Sequence, residues 1–295
     1  MIRGTQAYKA NSFEGKENSN TGIDWQAGFR KVQLFGEAGR SGNGSWGVLQ
    51  GMEWYAHQLI NLSFLYRYFD PGFQAFWGKP VTEGTEGRNE RGIYTGAEIF
   101  PARKVKLSGY ADFYRFPWLT YSTLQPENGR DFLVRADAAF SEKVNVYARC
   151  KFETKPQKLT NSENPADFDE KLNKFRFHTE WSITGRVLLK NRIEYAHYAF
   201  SKLKENGWLI YQEVVLLPSR KVDFRFRYAW FNTDGYNSRI YAYESDLLYY
   251  FSIPEFHGTG QRIYLNLKWR PAEWITACFK AGYTHHCGTD RWGSG

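Results

Sequence analysis

The sequence predicts an antiparallel transmembrane β-barrel. Three features carry that prediction: a two-residue alternation of apolar and polar side chains, an aromatic-rich yet polar composition, and connections that alternate between short and long. The alternation is the primary signal. Val144, Val146, Ala148, Cys150 and Phe152 make one side of a strand apolar, while Tyr147, Arg149, Lys151 and Glu153 make the other side polar. Successive strand residues point to opposite faces, so this pattern sets a lipid-compatible face against a charged one. The same division separates Val105, Leu107, Gly109, Ala111 and Phe113 from Lys106, Ser108, Tyr110, Asp112 and Tyr114. It recurs with Phe175, Phe177, Thr179 and Trp181 against Arg176, His178, Glu180 and Ser182. Two further runs follow it: Val222, Phe224, Phe226, Tyr228 and Trp230 against Asp223, Arg225 and Arg227, and Ile263, Leu265, Leu267 and Trp269 against Tyr264, Asn266, Lys268 and Arg270. Each run is about ten residues long, the length a tilted strand needs to cross a bilayer.

Composition agrees. Aromatic residues are 18% of the 295, with 20 Tyr, 23 Phe and 11 Trp, while the mean hydropathy is −0.60. A soluble α/β core rests mainly on Leu, Ile, Val and Ala, whereas aromatics favour strands. No stretch approaches the roughly 18 consecutive apolar residues of a membrane helix, so a membrane location requires strands. The formal charge of +8 comes from Lys and Arg interleaved with Asp and Glu, not from one basic run. Cys150, Cys278 and Cys287 are an odd number without a CxxC pair, which points away from a disulfide framework or zinc knuckle.

Connection lengths supply an independent argument. Short turns are predicted at His57–Leu59, Pro101–Lys104, Ser141–Lys143, Thr184–Arg186 and Pro218–Lys221. Between them lie long polar stretches at Asp70–Arg91, Leu119–Gly129 and Thr154–Asn173, then a shorter one at Ser201–Asn206. Outer-membrane barrels sort their connections this way, with short periplasmic turns and longer outer loops, whereas a soluble sandwich or propeller has no reason to. The expectation is roughly thirteen to sixteen strands in a single barrel region over residues 1–295, with 1–31 partial or irregular, in an outer membrane with the lipid bilayer as its partner. Trp118, Tyr121, Trp208, Trp230, Trp269 and Trp274 fall near predicted strand ends, where interfacial girdles place amphipathic rings; ordinary core packing is the alternative. Met1–Gln6 lacks an apolar secretory stretch and Trp292–Gly295 closes no strand, so the chain reads as a segment of a longer protein, with a complete cytoplasmic protein as the alternative.

Parity breaks once. After Lys221–Phe231 comes an outer loop, Asn232–Ser238, but no short turn follows before Arg270–Glu273. An ordered excursion over Tyr236–Gly260, on the outer side or into the lumen, restores the parity; one miscounted strand is the alternative. Arg239, Tyr241, Tyr243, Glu244 and Asp246 in that segment are the candidates for a constriction or partner contact.

Arg67, Arg135, Arg149, Lys151, Arg176, Glu180, Arg192, Arg225, Arg227 and Lys268 are the candidate lumen-lining residues. Their mixed charges with a basic excess fit either a lumen closed by ion-pair ladders or a mildly anion-preferring passage. A His178–Glu180 pair is geometrically allowed, although a lumenal hydrogen-bond network is the simpler reading. His285-His286-Cys287 resembles a ligand cluster, but neighbours on a strand point apart, so no metal is expected. Asp70, Asp234 and Asp246 lack EF-hand spacing. With no catalytic residues and no cofactor assigned, the expected role is a non-enzymatic anchor or conduit; a porin or transporter, or a barrel-embedded hydrolase, are the alternatives.

Several blocks resemble the C-terminal barrel of the helix-hairpin-helix, competence (ComEA-like) outer-membrane proteins of Bacteroidetes. These are Leu65–Pro71, Phe113–Leu119, Phe231–Asp234 running into Ser238–Glu244, and Phe251–Pro254, within a resemblance spanning about Val32 to Gly295. The resemblance implies a barrel whose parent protein handles DNA through upstream modules. No glycine-hinged helical hairpin occurs here, so DNA contact is assigned to no residue of this chain.

Overall fold

The computed structural model describes residues 7–76, 78–121, 125–158 and 167–288. After a short 3-10 helix (Ala7–Lys9), the strands are β1 (Asn20–Phe29), β2 (Val32–Ser41), β3 (Trp46–His57), β4 (Ile60–Phe69), β5 (Glu90–Ala102), β6 (Val105–Phe116), β7 (Glu127–Ala139) and β8 (Val144–Lys158). They continue with β9 (Asp167–Thr184), β10 (Val187–Phe200), β11 (Leu203–Ser219), β12 (Val222–Thr233), the short β13 (Ile240–Tyr241) and β14 (Glu255–Phe256), β15 (Thr259–Ala272) and β16 (Ile275–His286). Fourteen of these strands form one antiparallel sheet in which each strand lies beside its chain neighbour, with β12 next to β15; β13 and β14 pair separately. The chain divides into two compact units, Met1–Pro101 with Leu107–Val134 and Phe152–Lys171, and Ala102–Lys106 with Arg135–Lys151 and Leu172–Gly295.

Local chemistry explains the meander. At four short turns a side chain accepts a hydrogen bond from the backbone N–H two residues on: His57 to Leu59 at 3.2 Å, Ser141 to Lys143 at 3.2 Å, Thr184 to Arg186 at 3.2 Å and Ser219 to Lys221 at 3.3 Å. Such side chains mimic a turn of backbone and pin the reversal. Two-residue turns put Arg30 and Ser201 at φ 52°, the left-handed conformation whose twist suits a tight hairpin.

Burial is inverted relative to a soluble protein. In the first unit Asp112 is 5% exposed while its chain neighbour Phe113 is 51% exposed. In the second, Glu194, Glu213, Arg227 and Tyr264 are buried, while Ile193, Ile210, Phe226, Tyr228 and Ile263 are exposed. Lipid removes the penalty on exposed apolar side chains and imposes one on polar groups, so this is the face arrangement of a membrane-spanning sheet.

Three expectations are corrected. Residues 20–29 are a regular strand paired with β2 throughout, not an irregular lead-in, because Ile23, Trp25, Ala27 and Phe29 continue the alternation. The polar stretch Thr154–Asn173 is largely strand: β8 runs to Lys158 and β9 starts at Asp167, and 159–166 lie outside the described residues. Ser201–Asn206 shrinks to a two-residue turn, with Leu203–Asn206 already paired to β10. Polar residues there made strand look like loop, since a strand that continues past the bilayer has no apolar face to reveal its period.

The segment between β12 and β15 is ordered. Thr233 and Gly258 close its base through Thr233 N–H to Gly258 O and Gly258 N–H to Thr233 Oγ1, both at 2.8 Å. Ile240, Ala242 and Phe256 then join Ala196, Leu209, Tyr211, Ala229 and Phe231 of β10–β12 in a buried apolar cluster. Gly207 allows the approach, because a Cβ there would lie 2.3 Å from the Ser238 carbonyl oxygen.

Candidate functional site

The polar face of the second unit carries the densest chemistry, and the 236–258 segment sits on it. Strand alternation places Arg225 and Arg227 on β12, Arg262, Tyr264 and Asn266 on β15 and Lys280 on β16 on one face. Glu205 at the start of β11 holds the entry of the segment, accepting from the N–H groups of Asn237 at 3.0 Å and Ser238 at 3.1 Å. Further along, fully buried Glu244 accepts two bonds from Arg262, at 2.7 and 2.8 Å, and lies 3.8 Å from the Lys280 ammonium. Asp246 takes a 2.8 Å bond from Lys280. Burial raises the Asp246 carboxyl, but Lys280 and the Leu247 N–H outweigh it and hold its pKa below the ordinary value. Arg227 bonds Glu213 and donates to the Tyr243 carbonyl at 2.7 Å, while Arg225 reaches Ser245 Oγ at 2.8 Å and Asp223 at 2.9 Å. The segment therefore reaches from the long-loop end of β12 down to Arg225, three residues from that strand's short-turn end.

Of the segment's sequence-derived candidates, Glu244 and Asp246 point into this polar face. Arg239 and Tyr241 do not: Arg239 donates to Tyr241 Oη and to the Tyr236 carbonyl, each at 2.8 Å, and Tyr241 is exposed. Tyr243 contributes its carbonyl, while its ring is exposed and lies 5.4 Å from Phe251. Glu205, Ser245, Arg262 and Lys280 were not singled out from sequence. Alternation places Arg262 beside Tyr264 and Asn266, so its facing was legible; its partner Glu244 was not, being 18 residues away in irregular chain.

A second cluster occupies β7–β11. Arg176 forks onto Glu194 at 2.6 and 2.8 Å, and Arg149 lies 3.7 Å from the same carboxylate. Arg135 pairs with Asp137 at 2.6 Å and stacks 4.0 Å over the Tyr147 ring. Arg192 lies 5.0 Å over Tyr211 and 3.4 Å from Tyr147 Oη. Glu180 receives Lys190 at 2.9 Å and faces His178 Nε2 at 3.4 Å, so the His178–Glu180 pair exists as part of a hydrogen-bond network. Lys151 is half-buried on β8, and Lys268 lines a cleft of about 480 Å³ at the short-turn end of β10–β15 with Asp223 and Arg270.

No protein-family model and no curated protein matches the sequence. Solved structures do. A loop-deletion form of OmpT, an outer membrane protein of Vibrio cholerae, aligns over 90% of this chain and 91% of its own at 12% identity and TM-score 0.46. The siderophore receptor PirA of Acinetobacter baumannii aligns over 89% of this chain at 7% identity and TM-score 0.52, and this chain spans 49% of that one. The fold is that of an outer-membrane β-barrel. With its exposed apolar face, that fold places the chain in the outer membrane.

In the first unit of the barrel region Arg67, 1% exposed, bonds Glu90 at 2.6 Å and forks onto Asp112 at 2.9 Å twice. Gly92 makes room for it, since a Cβ there would lie 2.6 Å from the guanidinium carbon. Trp118 and Tyr121 line a cavity of about 280 Å³ at the long-loop end with Tyr8 and Glu83, so they serve loop packing there in addition to any girdle. Trp269 and Trp274 flank a short turn and are exposed, as a girdle requires. The loop carboxylates are taken by protein donors: Asp70 by the Trp46 N–H at 2.8 Å and Asp234 by the Asn206 N–H at 2.8 Å. Among the described residues, no group of three His, Cys, Asp or Glu side chains is placed to hold a metal ion.

Proposed function

We propose that this chain forms the wall of an outer-membrane conduit for small anionic solutes, narrowed from within by residues 236–258. The carrying observation is the docking of Glu244 onto Arg262 and Lys280, which turns a surface loop into a lumenal element. Among the described residues, the half-buried arginines Arg149, Arg176 and Arg192 of β8–β10 outnumber the carboxylates that meet them, and this supports an anion preference. Polar side chains engaged in mutual ion pairs, with Glu180 held by Lys190, support transport over hydrolysis. The helix-hairpin-helix resemblance extends the reading to a parent protein that handles DNA through modules outside residues 1–295. A full-length product that binds duplex DNA no better than this region removes that extension.

The test is deletion of 236–257, joining Thr233 to Thr259 through a short turn; the neighbouring residues Asn232 and Thr259 are already register partners. The deleted protein should keep heat-modifiable migration in detergent gels and show a larger single-channel conductance. Unchanged conductance in a folded deletion variant overturns the constriction, and cation selectivity overturns the anion preference.

A further inference from the structure

Three nitrogen atoms on the polar face of β8–β10 are buried yet find no hydrogen-bond partner among the described residues: Arg149 Nε, His178 Nδ1 and Arg192 Nε. They lie in one neighbourhood. Arg192 Nη2 reaches Tyr147 Oη at 3.4 Å, the Tyr147 and His178 ring centres are 5.0 Å apart, and Arg176 and Arg192 both repel Arg149. Charge there does not balance. Glu194 is the carboxylate that meets Arg176 and Arg149, and its two oxygens are already committed to Arg176. Asp137 is taken by Arg135 and Glu180 by Lys190. Among the described residues Arg192 meets a phenol and the Tyr211 ring, not an anion.

Orphaned buried donors are costly and rare, and repelling cations around them add to the cost. An oxyanion answers both deficits, because guanidinium N–H groups form short charge-assisted bonds to phosphate-type oxygens. We propose that Arg149 and Arg192 form a binding site for a small phosphate-class dianion, with Arg176 and Tyr147 positioning them. His178 adds a further polar contact through its partnerless Nδ1. The site lies part-way along the spanning strands, five residues into β8 and β10, where a solute crossing the lumen would meet it. The assignment rests on the conduit reading and names its solute class.

The experiment uses the full-length protein in detergent with inorganic phosphate at constant ionic strength, read by titration calorimetry and thermal unfolding. Wild type should bind one phosphate per chain, with a raised unfolding temperature, and chloride should not substitute. R149Q and R192Q should each weaken binding roughly tenfold or more, by loss of a charge-assisted bond. Both remove a poorly paired cation, so the phosphate-free barrel should be no less heat-resistant. Arg192→Lys, which keeps the charge without the fork, should fall between wild type and R192Q. A folded wild type without phosphate binding, equal binding in the variants, or equal replacement by chloride overturns the site. Anion conductance without phosphate binding removes the site and leaves the conduit standing; phosphate binding without conductance does the reverse.

Discussion

Replacing Glu244 by Gln isolates the interaction that docks the 236–258 segment. The substitution keeps size and one acceptor oxygen but leaves Arg262 and Lys280 facing each other without their shared carboxylate. Removing one member of a buried ion pair costs about 3–5 kcal/mol. Arg262 and Lys280 side chains retain 19% and 14% exposure, so water relieves part of the penalty and the lower end, about 3 kcal/mol, applies. That loss shifts the docked-to-undocked ratio on the order of 100-fold. Asp246, Tyr243 and Ser245 still hold the segment through Lys280, Arg227 and Arg225, so the variant should open transiently and not unfold. Two measurements report this: single-channel recordings should show brief higher-conductance excursions, and protease should cut faster within exposed Leu247–Phe251. A variant with wild-type conductance statistics and cleavage rate would refute the reasoning, since the Glu244 pairing would then carry no docking energy.

Other perturbations probe the faces and the first unit. Ala148→Arg introduces a cation on the exposed apolar face of β8 and should cost about 2–4 kcal/mol near the midplane, whereas Ser108→Arg, on the polar face near Glu53 and Glu98, should cost less. Urea unfolding in detergent ranks them, and the reverse order would overturn the facing assignment. Arg67→Met leaves Glu90 and Asp112 buried without their cation and should lower stability by about 3–5 kcal/mol; a loss under about 1 kcal/mol would show that the triad is not the anchor of β4–β6. Burial pushes the Glu83 carboxyl above its ordinary value, only partly offset by Lys155. A raised carboxylate pKa stabilises the folded loop below the unfolded pKa, and that contribution is lost as pH rises through the folded value. Hydrogen exchange in 70–89 should therefore quicken with rising pH beyond the intrinsic rate, and Glu83→Gln should abolish the excess.

The sequence determined this protein's architecture because the dominant signals are local. A two-residue period identifies strands and assigns their faces, and short turns declare themselves through residues such as Ser141, Thr184 and Ser219. Arg67, Arg176 and Arg227 were legible as inward-facing for the same reason. Loop-length parity even located the one break, at 236–260. Tertiary structure decided what polar residues do when no period governs them. Strand at Thr154–Lys158 and Leu203–Asn206 looked like loop, because polar residues there interrupt the apolar–polar alternation. Only the fold brought Glu244 to Arg262 and Lys280, and it left Arg149 and Arg192 sharing too few carboxylates. Pairing depends on distances across strands and on an irregular segment folding back, and no one-dimensional pattern encodes those.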